Sequence, residues 1–162
     1  MNIFEHAMKF EREGVVLYRR LAQKTRDSGF KNIFRWLAEQ EERHQEIIGK
    51  MKAGRPVTGR GKVNFKRIKH IFKKMKVHVE QMEARPAAVA AYKSALVVEK
   101  RSMVFYETRA GAAKNPEERE ILEMLAGEEA KHIIVLENLI EFMAEPLAWA
   151  EDAEFVKLDK GE

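Results

Sequence analysis

The sequence predicts an all-α protein: two helical hairpins forming a four-helix bundle, joined by a long crossover that contains an extra helix and followed by a short C-terminal segment. Three observations carry this prediction. Apolar residues recur at helical spacing along nearly the whole chain. The connections run short, long, short, which is the pattern of a bundle with one crossover. The second hairpin also repeats the first, without a gap, 88 residues later.

The first helix is expected at about residues 3–26, where Phe4, Met8, Val15 and Leu21 share a face. Asp27 is a candidate N-cap for the second, at about 28–53, with Phe34, Leu37, Ile47 and Ile48 on its apolar side. The crossover, about 54–85, opens with the glycine-containing loop "AGRPVTGRGK". It continues as "FKRIKHIFKKMKVHVEQM", where Phe65, Ile68, Ile71, Phe72, Met75, Val79 and Met82 suit a docked amphipathic helix. The third helix, about 86–113, carries Ala95, Val98 and Phe105. The fourth, about 116–144, opens at "NPEE", which supplies a cap, a proline at the first helical position and acids in the first turn. Residues 1–145 then form one domain. Residues 146–162 form a short helix and tail, with Trp149 and Phe155 packing on the bundle or a partner.

Composition narrows the chemistry. The chain of 162 residues has no cysteine, which excludes disulfides, thiolate metal sites and cysteine nucleophiles, so any metal must be held by histidine and carboxylate. The N-terminus is charged and no apolar run approaches the ~20 residues that cross a bilayer, so a soluble, cytoplasmic protein is expected without membrane attachment. The net charge of +4 is uneven. Eleven Lys or Arg and no acid lie between Ile47 and Val79, leaving about −7 on the rest. Such a block suits an acidic partner, an anionic membrane or nucleic acid, or simply a solvated helix face.

The repeat singles out the chemistry. Sliding the chain by 88 residues pairs Glu11 with Glu99, Tyr18 with Tyr106, Asp27 with Asn115, Glu41 with Glu129 and His44 with His132. Each hairpin therefore holds a Glu on its first helix and, 30 residues later, Glu-x-x-His on its second. Positions i and i+3 emerge side by side one turn apart, so each Glu-x-x-His can touch one ion. Two hairpins face to face bring four carboxylates and two imidazoles to the bundle centre, the di-iron or di-manganese constellation of ferritin-like bundles. Their charges balance two divalent ions. Oxygen and imidazole donors suit iron or manganese, and zinc would also bind.

The same offset separates neighbouring residues from the set. Glu13 aligns with Arg101, Glu42 with Ala130 and Glu128 with Gln40, so none has a counterpart, although Glu128 stands i to i+4 from His132. His6, His70 and His78 have no counterparts either and are assigned to the surface or crossover. Tyr18 and Tyr106 lie two turns beyond Glu11 and Glu99, where their hydroxyls could bond a ligand carboxylate or serve as ordinary core tyrosines.

With "EREGVVLY", "EERH", "EKRSMVFY" and "EEAKH" in place, most of residues 3–144 resembles the di-iron domain of the rubrerythrin family, within the ferritin-like superfamily. The resemblance implies Glu41 and Glu129 as carboxylates bridging two irons, Glu11 and Glu99 as terminal carboxylates, and His44 and His132 as one imidazole per iron. It implies reduction of hydrogen peroxide to water. Two departures stand out. Rubrerythrins carry a C-terminal rubredoxin domain with cysteine-ligated iron, which this chain lacks, so an external donor such as a rubredoxin-type protein is required. They also carry a further carboxylate one turn after the third-helix ligand, which moves onto iron during redox cycling; here that position is Ser102.

The leading expectation is thus a di-iron peroxidase without a rubredoxin domain, taking hydrogen peroxide or dioxygen as oxidant and forming a homodimer or larger assembly. The alternative is a ferritin-like protein that binds or oxidises ferrous ions for storage or buffering. A metal-stabilised module binding nucleic acid through the basic block ranks last.

Overall fold

The computed structural model describes residues 2–58, 63, 65–82 and 84–152, and no strand occurs among them. Helix α1, Ile3–Lys24, opens on a capping box in which Asn2 accepts from the Glu5 amide and Glu5 accepts from the Asn2 amide. It stops two residues short of the expected end. Thr25 turns extended there, and its hydroxyl donates to the Leu21 carbonyl at 2.6 Å. Asp27 caps α2, Ser28–Lys52, by accepting from the Phe30 amide at 3.0 Å. Beyond α2 the chain turns at Gly54, whose φ of 67° lies in the left-handed region that favours glycine, and the Arg55 amide closes onto the Lys50 carbonyl at 2.9 Å.

The crossover contains α3, Lys66–Val77, and a 3-10 turn, Val79–Gln81. Of its apolar positions, Phe65, Ile68, Phe72, Met75 and Val79 are buried, so the amphipathic stretch docks as its spacing predicts. Residues 59–62 of the glycine loop lie outside the described residues. Helix α4, Pro86–Ala112, leads to α5, Pro116–Ala144, whose cap Asn115 accepts from the amides of Glu117 and Glu118. A last helix, α6, spans Pro146–Asp152. It buries Trp149 against Phe72 and Phe142, with the indole N–H donating to Asn138 at 3.0 Å. Phe155, expected like Trp149 to pack on the bundle or a partner, lies outside the described residues.

Helices α1 and α2 form one hairpin and α4 and α5 the other; α1 meets α4 and α2 meets α5 between them. Their shared interior is apolar at its two ends and polar in the middle. One cluster gathers Tyr18, Phe30, Phe34, Leu37, Tyr92 and Phe142, and the other Ile47, Tyr106, Leu122 and Leu125. Each large apolar side chain buried there contributes ~1.5–3 kcal/mol. That burial holds the bundle shut around a centre of acids and histidines that solvent would otherwise claim. No helix among the described residues is long and apolar enough to cross a membrane.

Candidate metal centre

One turn of each bundle helix faces the middle. Helix α1 presents Glu11, α2 Glu41 and His44, α4 Glu99, and α5 Glu129 and His132; all six are buried, none more than 3% exposed. Their donor atoms converge in two overlapping groups. Glu11, Glu41, His44 and Glu129 form one, and Glu41, Glu99, Glu129 and His132 the other, with one donor atom from each residue within 4.8 Å of the rest. Glu41 and Glu129 belong to both. The geometry therefore offers two adjoining positions, each with its own imidazole and carboxylate and both facing the same two shared carboxylates.

The hairpins complete each other's groups. His44 Nδ1 on the first lies 3.0 Å from Glu129 Oε1 on the second, and His132 Nδ1 lies 3.1 Å from Glu41 Oε1. His44 Nδ1 is also 3.3 Å from Glu11, and His132 Nδ1 3.4 Å from Glu99. The two imidazole rings are nearly parallel, with centroids 5.8 Å apart. The tyrosines cross over as well: Tyr18 donates to Glu99, and Tyr106 donates to Glu11.

Electrostatics follow from packing four acids and two bases in a dry interior. Burial and then the surrounding carboxylates push Glu41 and Glu129 well above the ordinary carboxylate range. Burial also opposes charge on Glu99, but the His132 imidazolium outweighs it and holds the carboxyl down to about 2. Glu11 is lowered too, against its burial, by His44. His44 is raised well above its usual value and His132 to about 10, since Glu11 and Glu99 respectively overcome the cost of burying a charged ring. Burial, then the neighbouring carboxylates, raise both tyrosines, which remain hydrogen-bond donors. Without metal, protons therefore carry the positive charge that the acids require.

Divalent cations fit this donor set. Glu11 Oε2 and Glu129 Oε2 are buried without hydrogen-bond partners, and an ion between the carboxylates would meet that need. The oxygen and imidazole donors suit first-row divalent metals.

Two features escape the repeat argument. Glu128, set apart because it aligns with Gln40, is 7% exposed and lies 3.0 Å from His44 Nε2 on the opposite hairpin, while both guanidinium nitrogens of Arg43 donate to it. The i to i+4 contact with His132 is not the one formed. Its position immediately before Glu129 turns it about 100° around α5, towards α2, and only the packing of the two helices reveals that. Gly14 is the other. A Cβ there would lie 3.1 Å from Glu41 Cγ and 3.3 Å from Glu41 Oε2, so the glycine makes room for a shared carboxylate. Its counterpart 88 residues on is Ser102, which is also buried. Of the unmatched histidines, His70 and His78 are exposed and His6 lies beside Phe105.

Two antiparallel hairpins around a central Glu/His set of this kind define a ferritin-like helical bundle able to hold metal at its core. The family model for Rubrerythrin matches residues 2–140, and the chain belongs to that family. Membership implies iron binding. No curated protein and no solved structure matches the chain.

Proposed function

We propose that this protein is a rubrerythrin-like non-haem di-iron peroxidase that reduces hydrogen peroxide to water with electrons from an external donor. The carrying observation is the pair of overlapping Glu/His groups that share Glu41 and Glu129. In this reading Glu11, Glu41, His44 and Glu129 would hold one iron and Glu41, Glu99, Glu129 and His132 the other, with Glu41 and Glu129 common to both positions and each histidine offering Nδ1. Bound iron would supply two electrons, which with two protons convert one hydrogen peroxide into two water molecules. The chain's own residues set the conditions. Tyr18 and Tyr106 fix Glu99 and Glu11, Gly14 leaves space for Glu41, and the buried walls keep bulk water from the centre.

The chain has no cysteine-ligated iron of its own to return the electrons. The exposed basic side of α3, with Arg67, Lys73, Lys74 and Lys76, suits an acidic electron-transfer protein of rubredoxin type. Phe65 at the start of α3 contacts Trp36, whose ring contacts that of His132, so this side of the molecule is continuous with the centre. If donor reduction proves insensitive to ionic strength, this docking face is wrong.

Ser102, buried one turn beyond Glu99, supplies no carboxylate to move onto iron, which counts against the peroxidase and leaves iron oxidation for storage or buffering as the second reading. Anaerobic loading with ferrous iron, followed by rapid mixing with hydrogen peroxide or dioxygen, separates the readings. Saturation at two irons per chain and faster reaction with peroxide supports the peroxidase. Preference for dioxygen, or uptake continuing past two, supports the oxidase.

A further inference from the structure

The repeat is close to symmetric where metal would be held and asymmetric immediately behind the imidazoles. His44 Nε2 faces the Glu128 carboxylate at 3.0 Å, and Arg43 holds that carboxylate in place. His132 Nε2 is buried with no hydrogen-bond partner. The residue equivalent to Glu128 in the other hairpin is Gln40, a neutral amide whose Oε1 is itself buried and unpartnered. What His132 has instead is the ring of Trp36, 5.7 Å between centroids and nearly perpendicular.

Both histidines direct Nδ1 at the carboxylates, so Nε2 carries the proton when Nδ1 binds metal. A carboxylate accepting that proton fixes the ring and makes Nδ1 a stronger donor. An aromatic ring beside an unpartnered N–H does neither. We propose that the two metal positions are unequal by construction: Glu128, a positioning residue buttressed by Arg43, makes the His44 position fill first and hold its ion more tightly, and the His132 position fills second. This rests on the dinuclear reading above and adds an order to it.

The test is an anaerobic titration of the metal-free full chain with cobalt(II), following heat and visible absorbance for the steps. The paramagnetically shifted imidazole N–H signals show which ring is occupied. Two resolved steps are expected, with the His44 signal shifted at the first equivalent. Glu128→Gln should weaken the first step by roughly 10–100-fold and draw the two together. Gln40→Glu should tighten the second and narrow the gap from the other side, so the idea remains testable if the Glu128 variant folds poorly. Steps separated by no more than the statistical factor, His132 filling first, or a gap unmoved by Gln40→Glu would overturn it while leaving the dinuclear reading intact. Failure to bind metal at all would remove both.

Discussion

The Tyr18 hydroxyl on the first hairpin donates to Glu99 on the second, and Tyr106 returns the same contact to Glu11. Each phenol thus anchors a carboxylate that its own hairpin does not carry. Tyr18→Phe removes the donor from a buried carboxylate, which costs ~1–3 kcal/mol for the group left behind and lowers metal affinity by roughly 10–100-fold. Tyr106→Phe should act alike at Glu11. Thermal melts of the metal-free protein and metal titrations of both variants check this; unchanged affinity in both would show that the phenols are only core filling.

Protonation gives the metal-free protein a defined response to alkali. His132 has a folded pKa of about 10, above an unfolded value of about 6.5. Its stabilisation is therefore complete below pH ~6.5 and is lost as pH rises through about 10. Melting temperatures of the metal-free protein should fall across that window. Divalent metal competes with the same protons, so its affinity should rise with pH, and loading should release protons held by His44, His132, Glu41 and Glu129. Calorimetry in two buffers of different ionisation enthalpy measures that release directly.

Gly14→Ala separates helix propensity from site geometry. Alanine is favoured over glycine within a helix by ~0.8–1 kcal/mol. The new Cβ would nevertheless meet Glu41 Cγ at 3.1 Å and force the shared carboxylate to shift. The variant should remain folded and lose metal affinity at both positions, since Glu41 belongs to both groups. Retained two-step binding with wild-type affinity would show that Glu41 can yield without consequence.

Two substitutions remote from the centre probe the frame. Asn115→Ala removes the acceptor for the Glu117 and Glu118 amides at the start of α5, a loss of ~1 kcal/mol. Trp149→Ala empties a site between Phe72, Phe142 and Asn138 and should cost ~3–5 kcal/mol. Chemical denaturation measures both, and neither variant should change the metal stoichiometry.

The bundle and the convergence of its buried acids and histidines were legible because both are written as periodicities. Helical spacing gave the long elements, and the 88-residue offset picked Glu11, Glu41, His44, Glu99, Glu129 and His132 out of a glutamate-rich chain. Contacts between helices were less readable. Nothing in the spacing of Tyr18 says that its partner is Glu99 rather than a residue of its own hairpin, because that depends on how α1 lies against α4. Glu128 is hidden for a related reason: its counterpart across the repeat is Gln40, so the symmetry of the hairpins gives no sign of its place beside His44. Helix α1 ends at Lys24 rather than Arg26 because Thr25 turns extended, with its amide and its hydroxyl both donating to the Leu21 carbonyl.

Neither hairpin alone contains a complete group, since Glu129 is needed beside Glu11 and His44, and Glu41 beside Glu99 and His132. In the proposed reading, holding metal and holding the hairpins together are then one equilibrium, and the crossover is the tether that makes closure a step within one molecule. Cutting that tether would turn closure into an encounter between two molecules. Metal retention, independent of dilution in the intact chain, would then depend on protein concentration.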